Sequence, residues 1–486
     1  MPEIKNTFTQ GKMNKDLDER VIPNGQYRDA MNVKVNTSDD SSVGTVQNIL
    51  GNARVEDFVP VDYLCIATIS DEKSNKLYWF VTAKSATTHA ILQYDLLEKQ
   101  TKIVIVDTNN TVLKFTQNII TGINIIDNLL FWTDNYSEPK KININTCIEG
   151  SSGSDLDSAP HTKLMVEGID KGFINESHIT VIKKNPKTAP SITITEPTNK
   201  NTPKLFEQVF PRFSFRYKYK DGEYSSFGPF TDVIFNPIYN VDPLVMDYSK
   251  ENAYSVKESY NTAMVNNIES IKISNFISSN IPKDVVQVEI LYKEEGSSVV
   301  YSIKTIDYDD NEWDVNHNDY NTFTLKSETI FAAIPENQFL RPWDNVPKKA
   351  LAQEITGNRL VYGNYMQNYN LLSWNDIKVG NLIDADYGIR QNKRSSDLGG
   401  LPSLKSQRNY QVGFVWGDKY GRETPVFTSE EGGVNIPWYE NDFELLASKS
   451  LYLKTNLNTF IPVWADYYKI YVKETSGDYY NLIMDK

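Results

Sequence analysis

Phe213-Ser214-Phe215-Arg216-Tyr217-Lys218-Tyr219-Lys220-Asp221-Gly222-Glu223-Tyr224-Ser225 alternates aromatic and polar residues and then meets an Asp-Gly pair. A period of two puts every second side chain on one face of a strand, and Asp-Gly supplies the backbone freedom of a tight turn. The stretch therefore predicts a strand with an aromatic face that runs into a turn. Tyr410-Gln411-Val412-Gly413-Phe414-Val415-Trp416-Gly417-Asp418-Lys419-Tyr420-Gly421-Arg422-Glu423-Thr424-Pro425 runs similarly and turns at Tyr420-Gly421. Each copy is followed by a second pair of strand candidates, 268–273 and 286–297 in the first, 450–454 and 467–478 in the second. The tails match as well, Val299-Val300-Tyr301-Ser302-Ile303 over Tyr479-Tyr480-Asn481-Leu482-Ile483. Two immunoglobulin- or fibronectin-type-III-like sandwich modules of one strand order are expected, over 206–345 and 404–486. The second stops soon after its last strand candidate and is expected to be incomplete.

Upstream, four short β runs at 63–69, 77–81, 90–95 and 101–107 are separated by polar turns such as Asp71-Glu72-Lys73-Ser74-Asn75. They predict a four-stranded antiparallel meander. A second unit follows at 120–126, 128–134 and 139–144, and a third echo at 351–364, where 355–363 aligns with 125–133. Meanders repeated in this way predict propeller-like blades, over 61–205 and again over 346–403. The expected class is all-β, with propeller-like blades interrupted by sandwich modules. Residues 1–60 differ: polar and turn-rich, with Gly11, Asn14, Asn24-Gly25 and Asn52, they lack the apolar runs to build a core and predict an extended docking arm. The Gly/Ser-rich run 149–155 predicts a flexible surface loop, and 184–187 with 197–203 predict a boundary ahead of the first sandwich.

The 486 residues exceed one ordinary core, so two to four domains are expected. The 29 Tyr and 21 Phe against four His favour pleated, half-buried surfaces. A formal net charge of −13 argues against a protein that grips a phosphate backbone but not against an acidic channel past which DNA slides, and charge alone does not choose between classes. Cys65 and Cys147, the only cysteines, are too few for a disulfide scaffold and read as small buried hydrophobes. The start Met1-Pro2-Glu3-Ile4-Lys5-Asn6 lacks a signal-peptide apolar run, and no apolar stretch reaches the ~20 residues of a membrane span.

No catalytic set emerges. His89, His161, His178 and His317 have no metal-ligand spacing, and no nucleophile elbow, P-loop or GxGxxG is present. Neither a cofactor nor a metal is expected, nor an enzyme. The acidic run 307–314 places Asp307, Asp309 and Asn311 at alternate positions, as in a calcium loop, but lacks the turn glycine and has Asn318 where a bidentate Glu would stand. It reads instead as a solvated loop. Tyr78, Trp79, Phe131, Trp132, Tyr217, Tyr219 and Trp416 offer a glycan-stacking platform on one reading and core packing on the other, and their place on strands favours packing.

The N-terminal run Gly11-Lys12-Met13-Asn14-Lys15-Asp16, continued by Pro23-Asn24-Gly25-Gln26-Tyr27-Arg28-Asp29-Ala30-Met31-Asn32, carries the most specific pattern. It resembles the opening of tail-nozzle and tail-stabilisation proteins (tail-tubular-protein-B-like) of short-tailed bacteriophages, including the muzzle proteins of crAss-like phages. The later stretch 357–365 is also similar to that family. The resemblance implies a structural virion protein, a ring of six copies at the distal tail that conducts DNA during ejection. It further implies tail hub or adaptor ring proteins and tail fibres as partners, and assembly in the host bacterial cytoplasm. Gly11, Met13, Asn14, Asp16, Pro23, Gly25, Tyr27, Ala30 and Asn32 become candidate subunit-docking residues. A host-receptor-binding tail protein and a glycan-cleaving tail enzyme remain as alternatives.

Overall fold

The structure, a computed structural model, describes residues 10–35, 46–49, 51, 59–236, 265–308, 313, 321–328, 332–339, 346–389, 404, 406–441, 444–445 and 449–474, except 86, 154, 199–201, 208, 279, 296, 358, 368 and 381. The chain divides into two compact units, Met1–Phe58 and Val59–Lys486. Among its described residues the first holds only very short strands. β1 (Lys12–Met13) pairs in parallel with β2 (Gln26–Tyr27), and β3 (Val33–Val35) pairs antiparallel with β4 (Val46–Asn48).

The second unit opens with β5 (Tyr63–Asp71), β6 (Lys76–Ala83), β7 (His89–Asp95) and β8 (Gln100–Asp107), joined in that order as an antiparallel meander. Next, β9 (Gly122–Ile126), β10 (Leu129–Thr133) and β11 (Lys140–Asn143) form a three-stranded sheet. Helix α1 (Ile144–Gly150) follows, then the hairpin β12 (Lys163–Val166) and β13 (Ile169–Phe173), and the single turn α2 (Glu176–Ile179). Phe80, Ile91, Ile105, Phe115, Leu130, Trp132, Ile142 and Leu164 share one core. Asp107 is buried at the end of β8, where its carboxylate accepts the backbone N–H groups of Asn109, Thr111, Val112 and Leu113, at 2.7–3.3 Å. One side chain thereby satisfies a loop that would otherwise bury unpaired donors.

Two expectations fail in this region. Cys65 is exposed, because a register shift between Cys65 and Ala67 turns its side chain out of the meander, whereas Cys147 is buried as expected. The run 149–155 is no free loop at its start. Asn143 caps α1 by accepting from Thr146 N, Gly150 is buried where a Cβ would lie 2.2 Å from Lys163 O, and Ser151 Oγ donates to Val104 O at 2.9 Å. Composition read flexibility where packing requires a residue without a side chain.

The aromatic-rich repeats are strands as expected. β14 (Ser191–Thr195) begins the first module, followed by β15 (Pro211–Tyr219), β16 (Ser270–Ser274), β17 (Val285–Glu294), β18 (Tyr301–Asp307), β19 (Thr322–Leu325) and β20 (Ala332–Ala333). They form two sheets, β14-β16-β19 and β15-β17-β18-β20, over a core of Phe213, Phe215, Tyr217, Ile271, Ile273, Val288 and Ile290. The short helix α3 (Glu336–Phe339) leads to the hairpin β21 (Lys349–Thr356) and β22 (Arg359–Met366). This third echo lies against the sheet of β9, β10 and β11, since Thr133 Oγ1 donates to Ala350 O at 2.6 Å and Asn135 N to the same oxygen at 2.8 Å.

The second module contains β23 (Ile383–Ile389), β24 (Arg408–Gly417), β25 (Phe427–Ile436), the ribbon β26 (Tyr439–Asn441) and β27 (Glu444–Leu445), β28 (Leu451–Leu457) and β29 (Tyr467–Glu474). Its sheets are β23-β28 and β25-β24-β29. The correspondence with the first module is close: β15 pairs with β17 as β24 pairs with β29, and β14 with β16 as β23 with β28. In both modules the sheet partner β14 or β23 comes from upstream of positions 206 and 404. The matched tail 479–483, and the calcium-like run from Asp309 to Glu312 with Asp314, lie outside the described residues.

The turns after β15 and β24 also correspond residue by residue. Isolated bridges Lys218↔Tyr224 and Gly417↔Glu423 close loops of equal length. Ser225 N donates to Tyr217 O and Thr424 N to Trp416 O, while each hydroxyl accepts the N–H of the same strand residue. The glycines Gly222 (φ 82°) and Gly421 (φ 88°) occupy the left-handed region at the same point of the turn. Glu223 and Arg422 are therefore equivalent positions.

Candidate functional site

The arm motif gathers part of its residues. Gly11 (φ 59°) leads into β1 and Gly25 (φ 99°) into β2, so Met13 stands beside Tyr27 in the parallel pair. Gln10 N donates to Gly25 O at 3.1 Å and Asn14 N to Tyr27 O at 2.8 Å. Side chains extend the pairing: Asn14 Nδ2 donates to Gln26 Oε1 at 3.0 Å, and Gln26 Nε2 to Gln10 Oε1 at 2.9 Å. Pro23 O accepts from Gln26 N, and Asn32, at φ 55°, offers its carbonyl to Ile49 N at 2.8 Å. Asp16 and Ala30 are exposed and make no part of this ladder. Met13, Leu17, Val21, Ile49 and above all Met31, 81% exposed, present apolar surface to solvent. Small polar ladders hold the shape of such a segment but cannot bury enough to stabilise it alone.

A second cluster lies in the larger unit, where the turns after β15 and β24 meet the segment 138–141. Arg422 is almost saturated. It forms a two-pronged pair with Glu138 (Nη1–Oε1 3.0 Å, Nη2–Oε2 2.6 Å), and further donates to Asp418, Tyr369 Oη, Val346 O and Pro347 O. Lys141 pairs with Glu223 and lies 3.8 Å from Asp221, and buried Lys140 lies 3.9 Å from Glu176, which also meets Lys114 at 2.7 Å and Lys419 at 3.6 Å. Lys183 pairs with buried Asp284 at 3.2 Å. Burial drives the Glu138 carboxyl above its ordinary range, against the downward pull of Arg422, and drives Lys140 down. An open cleft of about 1210 Å³ runs between the two turns, lined among others by Arg216, Glu223, Tyr369, Tyr420 and Arg422.

His178 belongs to the same region. It is buried beneath α2, its Nδ1 accepts from Asn175 N at 3.0 Å, and burial lowers its pKa to about 4 from 6.5, against the opposing charge of Asp284. A histidine whose folded pKa lies below its unfolded value contributes full stability above the unfolded pKa and loses it as pH falls toward the folded one. The denaturation midpoint is therefore expected to fall as pH drops from about 6.5 to 4, and His178→Gln should flatten that slope. Denaturant melts across this range check it; an unchanged slope in the variant counts against the assignment.

Among the described residues no group of three or more His, Cys, Asp or Glu could hold a metal ion. His89, His161 and His178 lie apart on β7, before β12 and on α2, and His317 lies outside the described residues. Tyr78, Trp132, Tyr217, Tyr219 and Trp416 are buried, so they pack and present no stacking platform. The charged residues of the second cluster escaped sequence reasoning. The signals were slight: two lysines inside an otherwise strand-like Pro139-Lys140-Lys141-Ile142, and a charge directly after each turn glycine.

No helix among the described residues is long and apolar enough to cross a membrane. The chain matches no curated protein. It does match the sequence profile of the family described as Crassvirus muzzle protein, over residues 3–333, which includes the arm motif, the meander, the three-stranded sheet β9 to β11 and the strands β14 to β20. With more than half of its length covered, and an all-β architecture, the chain belongs to the crassvirus muzzle protein family, structural components of the phage tail.

Proposed function

We propose that six copies of this chain close into a ring at the distal end of the tail and form the conduit through which duplex DNA leaves the particle. The observation that carries the reading is the arm: a motif inside the family match, held by polar ladders, with Met13, Leu17, Val21, Met31 and Ile49 exposed and no buried apolar side chain among its described residues. A segment of this kind is ordered by binding a neighbour. Rigid β modules provide fixed surfaces for head-to-tail contacts that close by rotation. In this reading the ring docks on hub or adaptor ring proteins, carries tail fibres, assembles in the host cytoplasm and performs no catalysis. The −13 charge supports a net acidic wall, because each phosphate contact must be weak and brief for a long polyanion to pass.

The test is imaging of the assembled tail together with a duplex DNA titration of the assembled ring at physiological salt. A ring of this protein with weak, salt-insensitive DNA binding is the expected result. Submicromolar binding with a steep salt slope, or a wall dominated by Lys and Arg, overturns the conduit reading.

A further inference from the structure

The two sandwich turns reach the same stretch of the blade-like sheet with opposite charge. Glu223 and Arg422 hold equivalent places, each directly after a left-handed glycine in a loop of equal length. Glu223 meets Lys141, and Arg422 meets Glu138, three residues earlier in the chain. The inversion extends to their neighbours. Tyr219-Lys220-Asp221 of the first turn corresponds to Asp418-Lys419-Tyr420 of the second, so aromatic and acid exchange places. In the first turn Tyr219 Oη donates to Lys184 O at 2.6 Å; in the second, Asp418 accepts from Tyr420 N and Arg422 N at 2.9 and 2.8 Å. Lys141 is 3%, Arg422 11% and Glu138 13% exposed, whereas Glu223 is partly exposed at 29%.

We infer that these turns are keys of opposite charge that assign each sandwich module to its own seat on the segment 138–141. Two modules of one strand order present the same backbone shape at this point, so shape alone does not tell the seats apart. Charge does. A module in the wrong seat would set Arg422 against Lys141, or Glu223 against Glu138, beside seat residues that are largely out of water. Discrimination between similar partners is built as much from such rejected pairings as from the favoured ones. Buried ion pairs are weak sources of stability against apolar replacements, and their best-attested use is to fix one arrangement among several.

The test uses the full chain. Exchange of the two keys alone (Glu223→Arg with Arg422→Glu) should lower the denaturation midpoint well below that of the neutral pair Glu223→Gln with Arg422→Met. Exchange of keys and seats together, by adding Glu138→Lys and Lys141→Glu, should recover part of the loss, since Asp221, Asp418 and the carbonyls of Val346 and Pro347 keep their places beside the exchanged charges. Placement is read separately by carbodiimide cross-linking of Lys419 to Glu176, 3.6 Å apart and altered in none of these variants. That cross-link should fall at least severalfold in the key-exchanged chain and return in the four-residue exchange. Where the key-exchanged chain fails to fold, the four-residue exchange against the neutral pair still decides. Equal losses for the charged and neutral pairs, or no recovery of midpoint and cross-link in the four-residue exchange, would show that the ion pairs add stability without assigning seats.

Discussion

Trp132→Ala should destabilise the larger unit by about 3–5 kcal/mol, the range for deleting a fully buried large aromatic. Trp132 lies on β10 with no exposed surface, and its ring packs edge-on against Phe80 of β6 (5.6 Å between centroids) and against Phe115 (6.3 Å). It therefore joins the meander to the sheet of β9, β10 and β11, and both lose contacts when it is removed. The indole Nε1 has no hydrogen-bond partner among the described residues, so truncation strands none of their polar groups and the loss is one of packing and cavity. Trp79, one residue before Phe80 and thus on the other face of β6, is only half-buried, and its ring neighbour is Tyr94 at 6.5 Å. Trp79→Ala should cost less than half as much. Denaturant unfolding of both variants checks the pair; equal losses would mean that Trp132 does not hold the two sheets together.

Elements whose order follows from local pattern were legible in the sequence. The runs at 63–69, 77–81, 90–95 and 101–107 are β5 to β8, because short strands joined by tight polar turns most often pair with their neighbours in sequence. The sandwich strands were legible for the same reason, with Val286 and Tyr467 both inside strands as expected. What stayed hidden is long-range. That β14 and β23 supply sheet partners to each module depends on which edge is open, which no local period reports. Likewise β29 carries Tyr468, Ile470 and Val472 exposed, opposite buried Trp416, Phe414 and Val412, whereas the corresponding Val288, Ile290 and Tyr292 are buried. In the first module β18 pairs with β17 and β19 with β16. The arm motif was legible as a pattern, and the pairing of Gly11, Met13 and Asn14 with Gly25 and Tyr27 gives that pattern a backbone reason. The ion cluster was not, since a lysine in a strand ordinarily faces water and only the tertiary fold brings Glu223 or Arg422 over it.

Arg422→Leu should cost about 3–5 kcal/mol at neutral pH, the range for removing one partner of a buried ion pair. The replacement fills part of the space but leaves Glu138 and Asp418 near each other with no cation between them, and it abandons the carbonyls of Val346 and Pro347. The loss should depend on pH in a defined direction. Burial already holds the Glu138 pKa above its ordinary value, and Arg422 is the largest opposing influence. Without the guanidinium that pKa rises further. A carboxyl whose folded pKa exceeds its unfolded one favours the fold below the unfolded pKa and disfavours it as pH rises through the folded pKa. The deficit of the variant is therefore largest at neutral pH and narrows on acidification, as Glu138 takes up a proton and ceases to be an unpaired buried charge. Adding Glu138→Gln should do at neutral pH what acid does, returning a substantial part of the lost stability. Denaturant melts of the single and double variants at neutral and mildly acidic pH decide the matter. A deficit that is unchanged or grows on acidification, or a double variant no more stable than Arg422→Leu, would locate the cost in lost packing around the guanidinium instead of in the uncompensated carboxylate.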